Sequence, residues 1–448
     1  CGSGSPPAGS GFSAGHRSFS SPPASPTKVC VVGGGPAGFY TAQSLLKGSP
    51  HIQVDIYERL PVPFGLVRFG VAPDHPEVKN VINTFTQTAQ HKRCHFLGNV
   101  HVGKDITIQE LMQAYHAVVL SYGAEGNRTM GVSGEGLPGV YSAKDFVGWY
   151  NGLPCNKELQ PDLSHETAVI LGQGNVALDV ARILLSPLDL LKKTDITQNA
   201  LETLAASKVQ RVLMVGRRGP LQVACTIKVN LPRPRKRLTE LIMKTLNEDH
   251  RGRQGVKRWG FRFFRSPLEV LPSADGSRAS GIRLAVNKLE GVGDAVTAVP
   301  TSEVDEIACG MIISSIGYKS LPIDPAVPFD FKRAIVPNNM GRVEETTGLY
   351  CSGWVKRGPT GVIATTMNDS FDTARTILQD LESGAINVSV SRPGSSEVVP
   401  LLEKRGVRTV SFADWEKINA EETKQGTAVG KPREKLLDVR EMLAVAWT

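Results

Sequence analysis

The chain has 448 residues, of which 51 are Lys or Arg and 43 are Asp or Glu, so its formal net charge is +8. At about 150 residues per domain, this length predicts two to three domains. Hydrophobic residues make up 41% of the chain, which excludes a wholly disordered protein. No apolar run approaches the roughly 18 residues that a transmembrane helix requires, so the sequence predicts no membrane-spanning helix.

The seven cysteines are odd in number and widely spaced, and no C-x-x-C occurs. This pattern argues against a disulfide framework, an iron–sulfur centre and a structural zinc site. It also argues against every dithiol–disulfide oxidoreductase. We therefore expect no resident metal.

Residues 1–27 read as a leader rather than as part of a fold. They are crowded with Ser, Gly, Pro and Ala, and the first acidic residue of the whole chain is Asp55. A leader that lacks acids, is rich in Ser and carries an Arg is typical of the remnant of a mitochondrial transit peptide. An ordinary disordered tail fits the same composition equally well.

A complete dinucleotide-binding pattern follows the leader. A β-branched run at residues 29–32 leads into G-G-G-P-A-G at 33–38, and an apolar helical pattern continues over 39–46. A second strand at 54–57 then ends in Glu58. A lone G-x-G-x-x-G is weak evidence, but the strand, helix, second strand and terminal acid occur here together.

Each part of this pattern has a mechanical role in holding a dinucleotide. Gly33 permits the tight turn, Gly35 lets the backbone approach a pyrophosphate, and Gly38 allows close packing of helix on strand. The helix N-terminus faces the phosphates, and Glu58 can accept hydrogen bonds from a ribose.

The same pattern returns in the middle of the chain with a different ending. A strand at 167–171 leads into G-Q-G-N-V-A at 172–177, where Gly172 and Gly174 repeat the first two glycine roles, and a helical pattern follows. The next strand, at 209–215, is followed by G-R-R-G-P at 216–220, and no acid stands at its end.

Arg217 and Arg218 therefore occupy the strand end where an NAD-binding domain carries an acid. A carboxylate there would repel the 2′-phosphate of NADP(H), whereas two guanidinium groups would bind it. A solvated turn is the alternative interpretation of this dipeptide. The second site is predicted to take NADP(H) and the first FAD, as in a flavoprotein reduced by NADPH.

The C-terminal part of the chain supplies a flavin contact. Residues 348–354 read as a strand ending at a turn, and G-P-T-G at 358–361 opens a helix over about 362–381. The partial positive charge of its N-terminus would stabilise a reduced flavin if the segment folds back onto the first domain. Trp354 either covers the flavin ring or fills the core.

These elements predict an α/β protein with two Rossmann-like dinucleotide-binding domains, the NADP domain being inserted into a discontinuous FAD domain. The first part of the FAD domain is placed at 28–126 and its second part at 321–448. The NADP domain is placed between them, at 127–320.

Residues 228–265 are strongly basic. They contain twelve Lys or Arg and three Asp or Glu, a local net charge of +9 that exceeds the +8 of the whole chain. Such a block is a solvated face, a nucleic-acid patch or a docking surface for an acidic protein. The dinucleotide loops favour docking, and the scarcity of aromatic residues before Trp259 weakens the nucleic-acid interpretation. We expect no nucleic-acid partner.

Together with the two loops and the C-terminal segment, G-L-V-R-F-G-V-A-P-D-H-P at 65–76 resembles the mitochondrial adrenodoxin reductase family, also called NADPH–ferredoxin reductases. The resemblance covers the chain from about Lys28 to its end. It implies an FAD enzyme that takes hydride from NADPH and passes single electrons to an acidic [2Fe–2S] ferredoxin (adrenodoxin). That ferredoxin serves mitochondrial cytochromes P450 in steroid metabolism and iron–sulfur cluster assembly. A matrix location, peripheral to the inner membrane, is also implied.

The resemblance assigns roles to individual residues. In FAD binding it implicates Ala37, Glu58, Leu66, Val102, Trp354, Gly361, Val362 and Ile363. In NADPH binding it implicates Gln173, Asn175 and Val176 with Gly174 at the pyrophosphate, Arg217 and Arg218 at the 2′-phosphate, and Gly361 at the nicotinamide side. Arg233 and Arg237 match ferredoxin contacts. His75 and Asp179 match a polar pair near the electron-exit path, although from sequence alone they are a loop histidine and a charge at a helix N-terminus.

One departure from the family pattern follows Lys228. The family continues with a Glu and an Arg and then a longer segment of mixed charge, whereas here Val229 runs almost directly into Pro232. The family's Glu at the NADPH ribose is thus replaced by Val229. An FAD-binding isoform with impaired NADPH and ferredoxin activity is therefore one alternative function. A glutamate-synthase-like electron-input module is another, but it would need cysteine clusters.

Overall fold

The structure, a computed structural model, describes residues 25–220, 257–291 and 295–448. Most of the leader therefore lies outside the described residues, as do Val229, Arg233 and Arg237 of the basic segment. No helix in the described ranges combines the length and the apolar character needed to cross a membrane.

In the described ranges the strands are, in chain order, β1 (Thr27–Val32), β2 (Ile52–Tyr57), β3 (Cys94–Leu97), β4 (Ala117–Leu120), β5 (Gly126–Asn127), β6 (Val140–Ser142), β7 (Thr167–Leu171), β8 (Arg211–Val215), β9 (Arg258–Arg262), β10 (Arg265–Pro272), β11 (Ala279–Glu290), β12 (Thr297–Ala308), β13 (Met311–Ser314), β14 (Tyr318–Lys319), β15 (Asn338–Asn339), β16 (Arg342–Val343) and β17 (Leu349–Cys351). The α-helices of the same ranges are α1 (Pro36–Gly48), α2 (Leu66–Phe69), α3 (Val81–Ala89), α4 (Ile108–Ala114), α5 (Ala143–Asn151), α6 (Asn175–Leu185), α7 (Leu188–Leu191), α8 (Gln198–Ala205), α9 (Trp354–Arg357), α10 (Ile363–Glu382), α11 (Ser395–Lys404), α12 (Phe412–Ala428) and α13 (Val439–Ala446).

The first sheet contains strands from both the N-terminal and the C-terminal parts of the chain. Its order is β15-β16-β17-β4-β1-β2-β3, and the five strands from β17 to β3 are parallel. Along β1, Val29 and Val31 enter one core cluster while Cys30 and Val32 enter the other. Both faces of the sheet are therefore covered, which explains why its strands are continuous apolar runs rather than alternating ones.

The second sheet is wholly parallel, in the order β6-β13-β7-β8-β9. Helices α5, α6 and α8 pack on one of its faces. The antiparallel strands β10, β11 and β12 form a separate sheet that packs on the other face, where Val169 and Leu171 share a cluster with Ile282 and Leu284. The sequence patterns carried no prediction for this three-stranded sheet.

The chain crosses from the part of the molecule built on the first sheet to the part built on the second, and back again, through a two-stranded ribbon. In it β5 and β14 run antiparallel, with Asn127 opposite Tyr318 and Gly126 opposite Lys319. The outgoing and returning crossings therefore lie side by side. This topology confirms the predicted fold class, in which one Rossmann-like domain is inserted into a discontinuous other. The division at 28–126, 127–320 and 321–448 stays our proposal for the domain bounds.

Candidate functional site

The first glycine loop packs tightly against other backbone atoms at Gly33 and Gly38, but it has free space beside Gly35. Gly33 has φ +112°, and a Cβ there would lie 2.6 Å from the carbonyl oxygen of Ser121. A Cβ on Gly38 would lie 2.0 Å from the carbonyl oxygen of Gly33. At Gly35 a Cβ would meet nothing nearer than the Cα of Gly65, at 4.0 Å. The loop therefore offers bare backbone at Gly35, the position that a pyrophosphate must approach.

Glu58 is fixed at the tip of β2, beside this loop. Its Oε2 accepts a hydrogen bond from the Gly34 N–H at 2.8 Å, and its Oε1 accepts one from the Leu60 N–H at 3.0 Å. Burial raises the pKa of the Glu58 carboxyl, although these two hydrogen bonds act to lower it. Since a carboxylate can accept about four hydrogen bonds, lone pairs remain for a ribose hydroxyl.

The C-terminal segment folds back onto the first loop. The hydroxyl of Ser352, just after β17, is 3.0 Å from that of Thr41 in α1. Next to it, Gly353 has φ +75°, and a Cβ there would lie 2.5 Å from the Cβ of Ala37. The Gly353 N–H donates to Asp369 at 2.6 Å, which ties the turn to α10. Because Gly353 has no side chain, the C-terminal part of the chain can contact Ala37 in α1, the helix that follows the first loop.

The residues after this turn lie between the two bodies. The ring centroid of Trp354 is 5.7 Å from that of Tyr318 in β14, with the planes tilted by 32°. Helix α10 begins at Ile363, and its N-cap residue Val362 is 42% exposed and makes no side-chain cap bond. Gly361 has φ +84° directly before it. The α10 N-terminus therefore presents uncapped backbone at this junction, as the flavin hypothesis requires.

The structure places the two remaining predicted FAD residues differently. Leu66 begins α2 and is 36% exposed. Val102 is only 4% exposed, belongs to a core cluster and forms an isolated bridge with Ile106. Val102 therefore offers backbone more than side chain to any ligand.

The second glycine loop repeats the geometry of the first. Gly172 has φ +133°, and a Cβ there would lie 2.2 Å from the carbonyl oxygen of Ser315. Gly174 is the N-cap of α6, makes no side-chain cap bond and would place a Cβ in open space. Asn175 and Val176 form the first turn of that helix. The free space beside the backbone at Gly35 and at Gly174 fits the phosphates of two dinucleotides.

The dibasic turn at the tip of β8 is held by the neighbouring sheet. Arg217 and Arg218 are both exposed. The side chain of Asn287 in β11 donates to the carbonyl oxygen of Arg217 at 3.0 Å, and the Arg265 N–H donates to that of Gly216 at 2.9 Å. The sheet β10–β12 thus supports this turn. The sequence patterns missed Asn287 because it lies 70 residues from its partner.

The predicted pair His75 and Asp179 belongs to a larger charged group. Arg182 donates to Asp74 at 2.7 and 3.0 Å and to Asp179 at 2.8 Å, so it links the 65–76 stretch to α6. His75 pairs instead with Glu77, at 3.3 Å. The arginine that organises this group was absent from the sequence predictions.

The pKa values of the two carboxyl groups in this cluster, Asp179 and Asp74, are shifted in opposite directions. Burial raises the pKa of Asp179, against the lowering effects of Arg182 and His75. Burial is the largest influence on Asp74 and would raise its pKa, but the hydrogen bond from Arg182, the charges of Arg182 and His75 and a backbone hydrogen bond together lower it. Within the described ranges, no group of three or more His, Cys, Asp or Glu could hold a metal ion.

The fold and its two glycine loops define a two-dinucleotide reductase. Residues 27–213 match the family described as pyridine nucleotide-disulphide oxidoreductase. Over 459 residues the chain is 70% identical to NADPH:adrenodoxin oxidoreductase, mitochondrial, from Salvelinus fontinalis, covering 95% of this chain and 92% of that protein. With the Bos taurus protein of the same name it shares 61% over 449 residues, covering 93% and 91%. The chain belongs to the NADPH:adrenodoxin oxidoreductase family.

A solved structure of Mycobacterium tuberculosis FprA in complex with NADPH has a similar fold. Its TM-score is 0.88 at 37% identity, over 94% of this chain and 100% of that chain. The predicted family is therefore confirmed, and so are the flavoprotein reductase class and its cofactors FAD and NADPH.

The alignments also bear on the length of this chain. The alignment with the Salvelinus fontinalis protein runs over 459 residues, more than the 448 of this chain, although only 95% of the chain is aligned. That protein therefore has residues for which this chain has no counterpart.

Proposed function

We propose that this protein is an FAD-dependent reductase that takes hydride from NADPH and delivers electrons to an acidic [2Fe–2S] ferredoxin such as adrenodoxin. The observation that carries the proposal is the opposite chemistry of the two strand tips. Glu58 follows β2, and Gly216, Arg217 and Arg218 follow β8. An acid suits the ribose hydroxyls of FAD, and a dibasic turn suits the 2′-phosphate of NADPH.

The FAD would lie along the first loop. Gly33, Gly35 and Gly38 would let the backbone approach its pyrophosphate, while Glu58 would accept from its ribose. Leu66, Val102, Trp354 and the start of α10 at Gly361, Val362 and Ile363 would surround the remainder. When bound, FAD converts a two-electron hydride transfer into single-electron transfers.

The NADPH would lie along the second loop. Its pyrophosphate would meet Gly172, Gln173, Gly174, Asn175 and Val176, and its 2′-phosphate would meet Arg217 and Arg218. Charge-assisted hydrogen bonds from two guanidiniums are roughly twice as strong as neutral ones. Gly361 would contact the nicotinamide side.

The charged group around Arg182 would position the two domains rather than react. Its bonds to Asp74 and Asp179 cross from the 65–76 stretch to α6. With His75 beside it, Asp179 would mark the electron-exit side of the junction. These roles rest on the family resemblance and on the proximity of the charges.

The partner and the location follow from the same resemblance. The basic segment at 228–265, with Arg233 and Arg237, would dock the acidic ferredoxin through opposite charges. The curated relatives are named mitochondrial. We place this protein in the mitochondrial matrix, peripheral to the inner membrane, where its ferredoxin would supply cytochromes P450 of steroid metabolism and iron–sulfur cluster assembly.

A second candidate is an isoform that binds FAD but reduces ferredoxin poorly. The aligned length, which exceeds that of this chain, favours it. Val229 cannot accept the hydrogen bonds that a Glu would accept from the NADPH ribose. An unmade bond to a charged acceptor forfeits about 1.5–3 kcal/mol, which is about one to two powers of ten in affinity. Diaphorase activity with ferricyanide, compared with ferredoxin reduction, separates the two candidates.

The deciding experiment is an absorption spectrum of the purified protein before and after NADPH under anaerobic conditions. A flavin spectrum that bleaches with NADPH, far more readily than with NADH, supports the proposal, and ferredoxin reduction completes it. A folded, colourless protein that takes up no FAD would refute it. Ferricyanide reduction with a raised KM for NADPH, together with poor ferredoxin reduction, both recovered when the missing family segment is inserted, assigns the chain to the second candidate.

A further inference from the structure

The segment that follows α12, residues 431–438, binds the inserted domain to the rest of the molecule, and we call it the strap. Leu436 of the strap packs in the same core cluster as Val29 and Val31 of β1. Polar groups of the strap nevertheless bind the inserted domain. Lys431 donates to the carbonyl oxygen of Ile196, Glu434 accepts from the Gln198 N–H at 2.8 Å, and Asp438 pairs with Lys157. The strap is therefore a non-covalent tie between the two domains, in addition to the ribbon of β5 and β14.

Asp195, in the segment before α8, binds both parts of the FAD domain at once. Lys79 of the first part donates to its Oδ1 at 2.8 Å and to its Oδ2 at 2.7 Å, and the Nζ of Lys435 in the strap lies 3.2 Å from its Oδ2. The side chains are 12% exposed for Lys79, 13% for Asp195 and 1% for Lys435. One carboxylate of the inserted domain thus joins two cations that come from opposite ends of the chain.

The charges in this contact depend on one another. Burial would raise the pKa of Asp195, but the charges and hydrogen bonds of Lys435 and Lys79 lower it. Burial, together with the charges of Lys79 and Arg68, lowers the pKa of Lys435 to about 7, whereas Asp195 acts to raise it. Removing one partner of a buried ion pair leaves an uncompensated charge, so Asp195 is the group that keeps both lysines bound here.

Lys435 is itself fixed to the FAD domain. Its Nζ also donates to the carbonyl oxygen of Arg68 at 3.2 Å, and the side chain of Arg68 pairs with the fully buried Glu422. Glu422 accepts a further hydrogen bond from Arg433 of the strap at 2.9 Å. Since Arg68 lies in α2, which begins at the predicted FAD contact Leu66, one network holds both the strap and the flavin side of the molecule.

We propose that Asp195 is a positioning residue for hydride transfer: its bonds to Lys79 and Lys435 hold the inserted domain at the distance and angle at which the nicotinamide of NADPH meets the flavin. This proposal rests on the proposed function and deepens it. In that step NADPH loses a hydride, a proton with two electrons, and becomes NADP⁺, while FAD gains the hydride and becomes FADH⁻.

The orientation of the two domains matters for this step. Domains of one chain move relative to each other unless their interface is large and hydrophobic, and the contacts of the strap with the inserted domain are polar. Reacting atoms must approach to about 3–3.5 Å, and a misplacement of about 1 Å can slow a reaction by about a hundredfold. A tie that sets the domain orientation therefore sets the rate, although Asp195 is not among the residues placed at either dinucleotide.

The test compares Asp195→Asn with the unaltered protein, both loaded with FAD. After rapid mixing with saturating NADPH, the rate at which the flavin absorbance bleaches should be about tenfold to a hundredfold lower in Asp195→Asn. The FAD content and the affinity for 2′,5′-ADP, measured by calorimetry, should stay unchanged, because neither needs the domains to be aligned. Asp189→Asn is the matched control, since Asp189 lies in the same domain but is 91% exposed, and it should change none of these quantities. An unchanged bleaching rate in Asp195→Asn, or an equal loss in 2′,5′-ADP affinity, would overturn the proposal.

A second measurement separates positioning from stability alone. Flavin that has been reduced with dithionite and is then mixed with ferricyanide should reoxidise equally fast in Asp195→Asn and in the unaltered protein, because this step does not use NADPH. Slower reoxidation would mean that the flavin site itself is disturbed, and it would contradict a positioning role. A lower melting temperature with an unchanged bleaching rate would assign Asp195 to stability alone.

Lys435→Met tests the same contact from the strap. It leaves Asp195 paired with Lys79, so it decides the matter if Asp195→Asn does not fold. It should also slow bleaching by NADPH while FAD is retained, and an unchanged rate would count against the proposal. Combined with Asp195→Asn, it should slow bleaching by less than the product of the two single effects, because both variants break one contact. Fully multiplicative losses would contradict a shared contact.

Failure of this proposal is distinguishable from failure of the proposed function. If NADPH bleaches the unaltered protein and bleaches Asp195→Asn equally fast, only the role of Asp195 falls. If NADPH does not bleach the unaltered protein, the proposed function falls with it.

Discussion

Glu58 allows the sharpest test of the FAD site. Its carboxylate accepts hydrogen bonds from Gly34 and Leu60 and would accept another from the ribose. Glu58→Gln keeps one acceptor oxygen and turns the other into a donor, so it must lose at least one of these bonds. Glu58→Ala loses them all and leaves both backbone N–H groups without this acceptor.

The size of the effect follows from this geometry. A hydrogen bond to a charged group contributes about 1.5–3 kcal/mol, or about ten- to a hundredfold in affinity. Because burial already raises the pKa of Glu58, part of that gain is offset by desolvation of the charge. We therefore expect Glu58→Gln to weaken FAD binding by about tenfold, and Glu58→Ala to weaken it more and to lower the melting temperature.

The assay is the equilibrium binding of FAD to apoprotein, followed by flavin fluorescence. Glu125→Ala is the matched control, since Glu125 is a nearby carboxylate in an exposed ion pair with Arg59 at 2.7 Å, and such pairs contribute only about 0–1 kcal/mol. An unchanged FAD affinity in Glu58→Gln would refute the proposed role of Glu58 at the ribose.

Three further outcomes are expected. Changing Arg217 and Arg218 to Ala should erase most of the preference for NADPH over NADH in kcat/KM, and a preference that survives would mean that other groups discriminate. Ferredoxin reduction should slow steeply as salt is raised if the segment at 228–265 docks the partner, whereas a rate that is flat with ionic strength contradicts that docking. The hydrogen bond to Asp55 raises the pKa of His95, so the stability it contributes is present below the ordinary histidine pKa of about 6.5 and is lost as the pH rises through the raised value. Since His95 is half exposed, His95→Asn should lower the free energy of unfolding by at most about 1 kcal/mol, more at acidic than at alkaline pH, and an equal loss at both contradicts this assignment.

The sequence predicted the parts of the site whose cause is local. The turn at Gly33 and the strand over Thr167–Leu171 depend on residues next to one another, so spacing alone reveals them. Helix α1 begins at Pro36, earlier than its apolar pattern at 39–46, because proline suits the first turn of a helix and needs no hydrogen bond there. The assigned ligand contacts stay predictions.

Contacts between distant residues escaped the sequence patterns. Nothing in the spacing pairs Asp74 with Arg182 or Asn287 with the turn at Arg217, because packing of separate elements decides such partners. The contact between Gln173 and Gly216 was missed for another reason. A Cβ on Gly216 would lie 1.9 Å from the Gln173 side chain, and a side chain that fills the space left by a glycine is visible only when both residues are placed.

The ribbon of β5 and β14 has a consequence for biosynthesis. Because the inserted domain begins and ends at adjacent strands, the strands of its parallel sheet can pair before the C-terminal part of the chain is made. Strand β4, in contrast, must wait for β17, which the ribosome makes only after about half the chain has followed. Since domains generally fold as units during synthesis, the inserted domain should be native first. The flavin would then be captured late, when Gly353 reaches Ala37, so a truncated product should retain the nucleotide-binding cassette and lack the yellow colour.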